Sequence, residues 1–240
     1  MNVMELGLAG KVALVTAASK GLGRGAALAL AHEGVRVAIC ARDPEPLAAT
    51  VAELGADALG IAADVTEPDA PRRLVAETIE RFGRLDILVA NAGGPPRARA
   101  LDVDDDGMTA ALNANLQTSI RLALAAIPSM RDSGWGRICF IASSAVKQPI
   151  PELAYSNVAR TALWAWAKTA AQDLIADGIT VNLACPGLHA TDRVKELNFS
   201  GRLGDPEDFG RVVAFLCSEP AGFVSGTALQ VDGAGTLGLL

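Results

Sequence analysis

Cysteine is scarce in this chain and never paired. Cys40, Cys139, Cys185 and Cys217 stand singly in apolar runs, with no CxxC and no metal-ligand spacing. They are expected as buried free thiols of a protein kept in a reducing cytoplasm, and no metal site is expected. Positive charge is also short: 21 Lys and Arg stand against 27 Asp and Glu, for a net charge of -6. No basic patch is there to neutralise phosphates, which argues against nucleic acid as a partner. No apolar run reaches the ~18 residues that would span a bilayer, so no membrane partner is expected. Met1 to Gly10 has neither the basic start nor the apolar core of a signal peptide. There is no linker, repeat or break in composition, so residues 1–240 are expected to form one domain.

What is present is a pattern of alternation. Hydrophobic residues make up 50% and charged residues 20% of the 240, enough for one sizeable core. Strand-like runs are expected at Val12–Val15, Arg36–Cys40, Ala58–Ala62, Ile87–Val89, Arg137–Ile141, Thr180–Leu183 and Leu229–Val231. Helical patterns lie between them at Leu22–Glu33, Pro46–Leu54, Pro68–Phe82, Asp105–Asp132, Leu153–Asp177 and Pro206–Cys217. Gly34, Gly83, Gly134 and Gly178 follow four of these helices, where a left-handed cap is wanted. Apolar strands alternating with helices imply a parallel sheet covered on both faces. The fold class is therefore α/β: a Rossmann-type doubly wound sheet of about seven strands.

The first strand runs into Thr16-Ala17-Ala18-Ser19-Lys20-Gly21-Leu22-Gly23, and a helix follows. Such a turn binds anions, because free N–H groups and the helix dipole face them. The stretch resembles the Thr-Gly-x-x-x-Gly-x-Gly motif of short-chain dehydrogenases/reductases, and the likeness continues along nearly the whole chain. Asn91-Ala92-Gly93, Asp64-Val65, Asn182, Pro186-Gly187-x-x-x-Thr191 and the segments at Gly201–Glu207 and Gly226–Gly233 match in order. In style the chain is similar to atypical 3-oxoacyl-acyl-carrier-protein-reductase-like members. The resemblance implies a nicotinamide cofactor held by Thr16, Ser19, Lys20, Gly21, Leu22, Gly23, Asp64, Val65, Asn91, Ala92, Gly93, Pro186, Gly187 and Thr191. Ala17 replaces the first glycine of the motif; it is harmless at negative φ and costs about 1–2 kcal/mol at positive φ. In the family an acidic residue at the end of the second strand holds the ribose of NAD. Here Ala41 and Arg42 stand there, with Lys20 nearby. Two cations suit a 2′-phosphate, so NADP is expected over NAD.

The family's catalytic tetrad is Asn, Ser, Tyr and Lys. A phenol with pKa ~10 is a weak acid near neutrality, and a neighbouring cation shifts it toward working pH. Asn115, rather than Asn113, and Ser143, with Ser144 beside it, fit the first two positions. Tyr155, the only tyrosine, is followed four residues later by Ala159. Counted without a gap from Ser143, and back from Ala162-Leu163, the pair reads Ser156 and Arg160. Residues four apart share a helix face and residues five apart diverge by ~140°. Tyr155 and Arg160 therefore cannot both face the site unless the helix starts after Tyr155 or carries a bulge. Tyr155 is either a retained catalytic group or a packed or interface aromatic.

His189 is the remaining proton carrier near the site, with a solvated loop residue as the plainer alternative. The nine residues Asp192–Ser200 replace a longer lid, which implies an open site for a large or carrier-bound substrate. Trp164 and Trp166 fall on the helix that, in the family, builds subunit contacts, so a homodimer or homotetramer is expected. The expected activity is NADP-dependent hydride transfer with a carbonyl, hydroxyl or quinone-like substrate, with an impaired Tyr-Lys pair. A non-redox lyase or isomerase and a catalytically silent nucleotide-binding or partner subunit are the alternatives.

Overall fold

The computed structural model describes residues 5–195, 199 and 201–238. Its strands are β1 Val12–Val15, β2 Arg36–Ala41, β3 Leu59–Ala62, β4 Ile87–Ala90, β5 Gly136–Ile141, β6 Ile179–Pro186 and β7 Ala228–Val231. They form one sheet in the order β3-β2-β1-β4-β5-β6-β7, with every pair parallel. The helices are α1 Gly21–His32, α2 Pro44–Leu54, α3 Ala70–Phe82, α4 Asp105–Leu112, α5 Thr118–Ser133, α6 Ala154–Leu174, α7 Asp192–Lys195 and α8 Pro206–Leu216. The fold is the single-sheet Rossmann arrangement that the alternation implied.

Side chains alternate along each strand, and so divide into two cores. Val12 and Leu14 join Leu74 of α3, Leu122 of α5 and Leu163 of α6 on one face. Ala13 and Val15 join Leu30 of α1 and Phe209 and Val213 of α8 on the other. Each fully buried Leu or Phe contributes about 1.5–3 kcal/mol, so neither face can be left bare. Helices α1 and α8 meet through glycine: a Cβ on Gly25 would strike the Pro206 carbonyl, and one on Gly210 the Gly25 carbonyl. Gly34, Gly83, Gly134 and Gly178 all take positive φ, between 62° and 84°, just past their helices.

Two expected helices are corrected. The pattern Asp105–Asp132 is interrupted by a π turn at Asn113–Gln117. Asn113 explains it: its Nδ2 donates to the Thr66 carbonyl at 3.0 Å, and its own carbonyl accepts from Thr118 Oγ1 at 2.8 Å. Side-chain bonds of this kind compete with the regular ladder. The pattern Leu153–Asp177 ends as α-helix at Leu174 and closes with a 3₁₀ turn, Ile175–Asp177.

Candidate active site

Strand order reverses between β1 and β4, and ligands of such sheets bind beyond the carboxyl ends of the strands at that point. A cleft of about 580 Å³ opens there. Its floor is tied across the two strands. Asn91 N donates to Thr16 Oγ1 at 2.8 Å, and Thr16 Oγ1 donates to the Asn91 carbonyl at 2.7 Å. Thr16 is fully buried, so it shapes the turn from beneath. Asn91 Nδ2 donates to the Ala17 carbonyl at 3.1 Å. Ala17 has φ +48°, the left-handed region where glycine stands in the motif, so the strained case applies.

The glycines that remain are needed for space. A Cβ on Gly23 would sit 2.6 Å from the Ala17 carbonyl oxygen and 2.8 Å from Asn91 Nδ2. Gly21 has φ +59°, and the Thr191 methyl lies 3.4 Å from where its Cβ would be, so the Pro186–Thr191 loop meets the turn. Lys20 is the extended N-cap of α1, whose first turn has no side-chain cap and no acidic residue. That leaves N–H groups and positive potential for an anion. Leu22 packs half-buried on the α1–α8 core, and Ser19 turns its carbonyl to Thr50 Oγ1.

Arg42 lies at the mouth of the cleft with its side chain 80% exposed, 3.9 Å from Asp64. Asp43 spends its carboxylate on the α2 N-terminus, where Oδ1 accepts from Glu45 N. Asp64 accepts from Thr66 N at 2.9 Å and Thr66 Oγ1 at 2.7 Å. Those two hydrogen bonds hold its carboxyl below the usual range against a smaller burial effect, with Arg42 adding the least. Val65 is buried in the core; Ala92 and Gly93 line the cleft, and a Gly93 Cβ would meet open space among the described residues. Gly187 hydrogen-bonds Val231 and has no room for a Cβ against Asp232.

At the catalytic end, Ser143 is extended after β5, and its Oγ accepts from Ala145 N at 3.1 Å. Asn115 sits inside the π turn, 2% exposed, and neither amide atom has a hydrogen-bond partner among the described residues. Helix α6 begins before Tyr155 and runs unbroken through Arg160. Tyr155 and Arg160 therefore sit five residues apart on a regular helix. Tyr155 is 4% exposed, and its hydroxyl accepts from Asp104 N at 3.0 Å, at the start of α4. The structure uses this phenol to pack α4 on α6. Ser156 and Arg160 are both buried, and Arg160 Nη1 donates to the carbonyls of Ile141 and Ala142.

His189 is corrected from a solvated loop residue. It is 4% exposed, packs edge-on against Phe209 at 5.2 Å, and places Nδ1 3.2 Å from the Gly187 carbonyl. A Cβ on Gly204 would collide with its ring. Of the short lid, α7 is described; residues 196–198 and 200 lie outside the described residues. Sequence reasoning missed Thr66 and Asp104, and the tie from Asn113 to the Thr66 carbonyl. The spacing Asp64-x-Thr66, an Asx turn, is a signal that would have found the first.

A family model described as enoyl-(acyl carrier protein) reductase matches residues 16–236. The chain is 34% identical to dehydrogenase/reductase SDR family member 4 of Homo sapiens, covering 94% of this chain and 87% of that one. It is 34% identical to a 3-oxoacyl-[acyl-carrier-protein] reductase of Synechocystis, covering 94% and 97%. Among solved structures, L-sorbose reductase from Gluconobacter frateurii, complexed with NADPH and L-sorbose, superimposes with TM-score 0.90 at 32% identity, covering 97% and 100%.

Proposed function

The chain belongs to the short-chain dehydrogenase/reductase family, and on that footing we propose that it is an NADP-dependent oxidoreductase acting on a carbonyl, hydroxyl or quinone-like substrate. The observation that carries the choice of NADP is the charge at the cleft mouth. Lys20 and Arg42 are exposed there, while Asp43 is committed to capping α2. Two cations at the ribose end suit a 2′-phosphate, the carboxylate 3.9 Å from Arg42, that of Asp64, being hydrogen-bonded by Thr66. The NADPH bound to L-sorbose reductase supports the same choice.

When bound, the nicotinamide supplies or accepts the hydride. The chain's own residues do the rest. The turn at Gly21–Gly23 and the α1 N-terminus hold the pyrophosphate, and Asp64 and Val65 meet the adenine. Asn91–Gly93, Pro186, Gly187 and Thr191 border the nicotinamide half. Ser143 hydrogen-bonds the reacting oxygen. Ser156 and Arg160 take the places of the tyrosine and lysine, so neither is an acid near neutral pH. The proton comes from water, and the unmatched amide of buried Asn115 is suited to anchor it. The four buried free thiols fit a cytoplasmic protein, and half-buried Trp164 with exposed Val158 on α6 fits a homodimer or homotetramer.

Titration of tryptophan fluorescence with NADPH and NADH tests the reading. Lys20→Ala and Arg42→Ala are each expected to weaken NADPH by about tenfold while moving NADH by less than about threefold. Absence of binding to either nucleotide at millimolar concentration overturns it in favour of a non-redox lyase or isomerase. Binding without turnover of ketones, acyl-thioester ketones and quinones would leave a silent nucleotide-binding subunit.

A further inference from the structure

Strand β5 ends at Ile141, and the chain turns through Ala142 and Ser143 into a 3₁₀ turn, Ser144–Val146, before a loop leads to α6. A serine that holds a reacting oxygen must be fixed to within about 0.5 Å, and a strand end running into a loop does not do that unaided. Helix α6 supplies the missing restraint from two side chains. Near the far end of the loop, Asn157 Nδ2 donates to the Ile150 carbonyl at 2.9 Å and its Oδ1 accepts from Ile150 N at 3.3 Å. At the near end, Arg160 Nη1 donates to the Ile141 carbonyl at 2.9 Å and the Ala142 carbonyl at 3.1 Å.

We propose that Arg160 is a positioning residue for Ser143, clamping the two carbonyls that precede it, and does not serve as the cation that holds the nicotinamide ribose. Arg160 is 8% exposed, and a guanidinium that deep is tolerated only with hydrogen bonds to match its charge. One nitrogen, Nη1, makes both bonds, and the rigid guanidinium plane holds it between the two carbonyls. The thiol of Cys185 reports on the same spot. Its chain neighbour Ala184 pairs with the strand end, the Ala184 carbonyl accepting from Ala142 N at 2.9 Å, and the Ser143 backbone N–H and the charge of Arg160 both favour its thiolate. Burial nonetheless pushes that thiol up to about 12, so little thiolate is present near neutral pH.

The kinetic arm of the test rests on the oxidoreductase reading; the thiol arm does not. In Arg160→Ala, turnover of an ortho-quinone is expected to fall by about tenfold to a hundredfold with KM for NADPH steady. The NADPH dissociation constant should move by less than about threefold. Added guanidinium ion should restore part of the turnover where sodium chloride at equal ionic strength does not. Cys185, identified by mass spectrometry, should react with a disulfide reagent about tenfold faster than in the parent protein. Should Arg160→Ala not accumulate folded, Arg160→Lys is measured in the same way. A loss of NADPH affinity as large as the loss of turnover would overturn the proposal, because Arg160 would then be a ribose contact. Unchanged Cys185 reactivity would overturn it too, even if the parent protein reduces no carbonyl and the oxidoreductase reading fails.

Discussion

Ala17 holds φ +48°, a conformation that costs an L-residue about 1–2 kcal/mol. Ala17→Gly is expected to raise stability by about 0.5–1 kcal/mol, the glycine's extra unfolded freedom taking back part of the gain. The midpoint of denaturant unfolding measures it. Gly23→Ala should do the opposite and abolish nucleotide binding, since its Cβ would sit 2.6 Å from the Ala17 carbonyl oxygen. Tyr155→Phe leaves the Asp104 N–H without its partner and is expected to cost about 1 kcal/mol, with turnover kept within about twofold. A drop in turnover of the size seen for loss of a proton donor would show that the phenol does chemistry. The substitution at Ala17 was legible as a missing glycine, but the sign of φ was not, because alanine tolerates either. The slip at Tyr155 was legible by counting. Its consequence needed the start of α6, which places Ala154 inside the helix ahead of the phenol.

At the level of elements, the π turn between α4 and α5 joins the two halves of the site. Asn113 ties it to Thr66, and Thr66 holds Asp64. Asn113→Ala is expected to cost about 1–3 kcal/mol and to weaken NADPH binding, read by calorimetry alongside thermal unfolding. Binding unchanged would mean that the turn and the adenine end are independent. The helical pattern from Asp105 to Asp132 was legible from its α5 half, where Leu122, Ala126 and Met130 recur four residues apart. The extra residue of the π turn was not, since it rotates the face by ~100° without leaving a breaker in the sequence. The four capping glycines were legible because few other residues accept their φ.

For the molecule as a whole, stability should fall in acid. The hydrogen bonds of Thr66 hold Asp64 low; burial pushes Asp232 up, but hydrogen bonds from Thr236 and Ala234 outweigh it and hold it low as well. A carboxylate held below its unfolded value of about 3.9 adds stability that is complete above that pH and is lost as pH falls through the folded value. Asp64→Asn should therefore flatten the decline of the urea midpoint below about pH 4, and an unchanged slope would contradict this account of Asp64. The sheet was legible because apolar strands alternating with helices imply a parallel sheet covered on both faces, and the glycine turn was legible as a strand-to-helix turn. The charge at the mouth was only half legible: Asp43 adjoins Arg42 in sequence, and that its Oδ1 accepts from Glu45 N at the α2 N-terminus was seen only in the structure. The central claim is that Ser143 and Ser156 face the nicotinamide while Tyr155 stays on Asp104. A crystal structure of the NADPH complex tests it most directly. The account predicts both serine hydroxyls beside the nicotinamide C4 and Tyr155 Oη within hydrogen-bond distance of Asp104 N. Tyr155 turned onto the nicotinamide, or a nucleotide seated elsewhere than the cleft at the ends of β1 and β4, would contradict it.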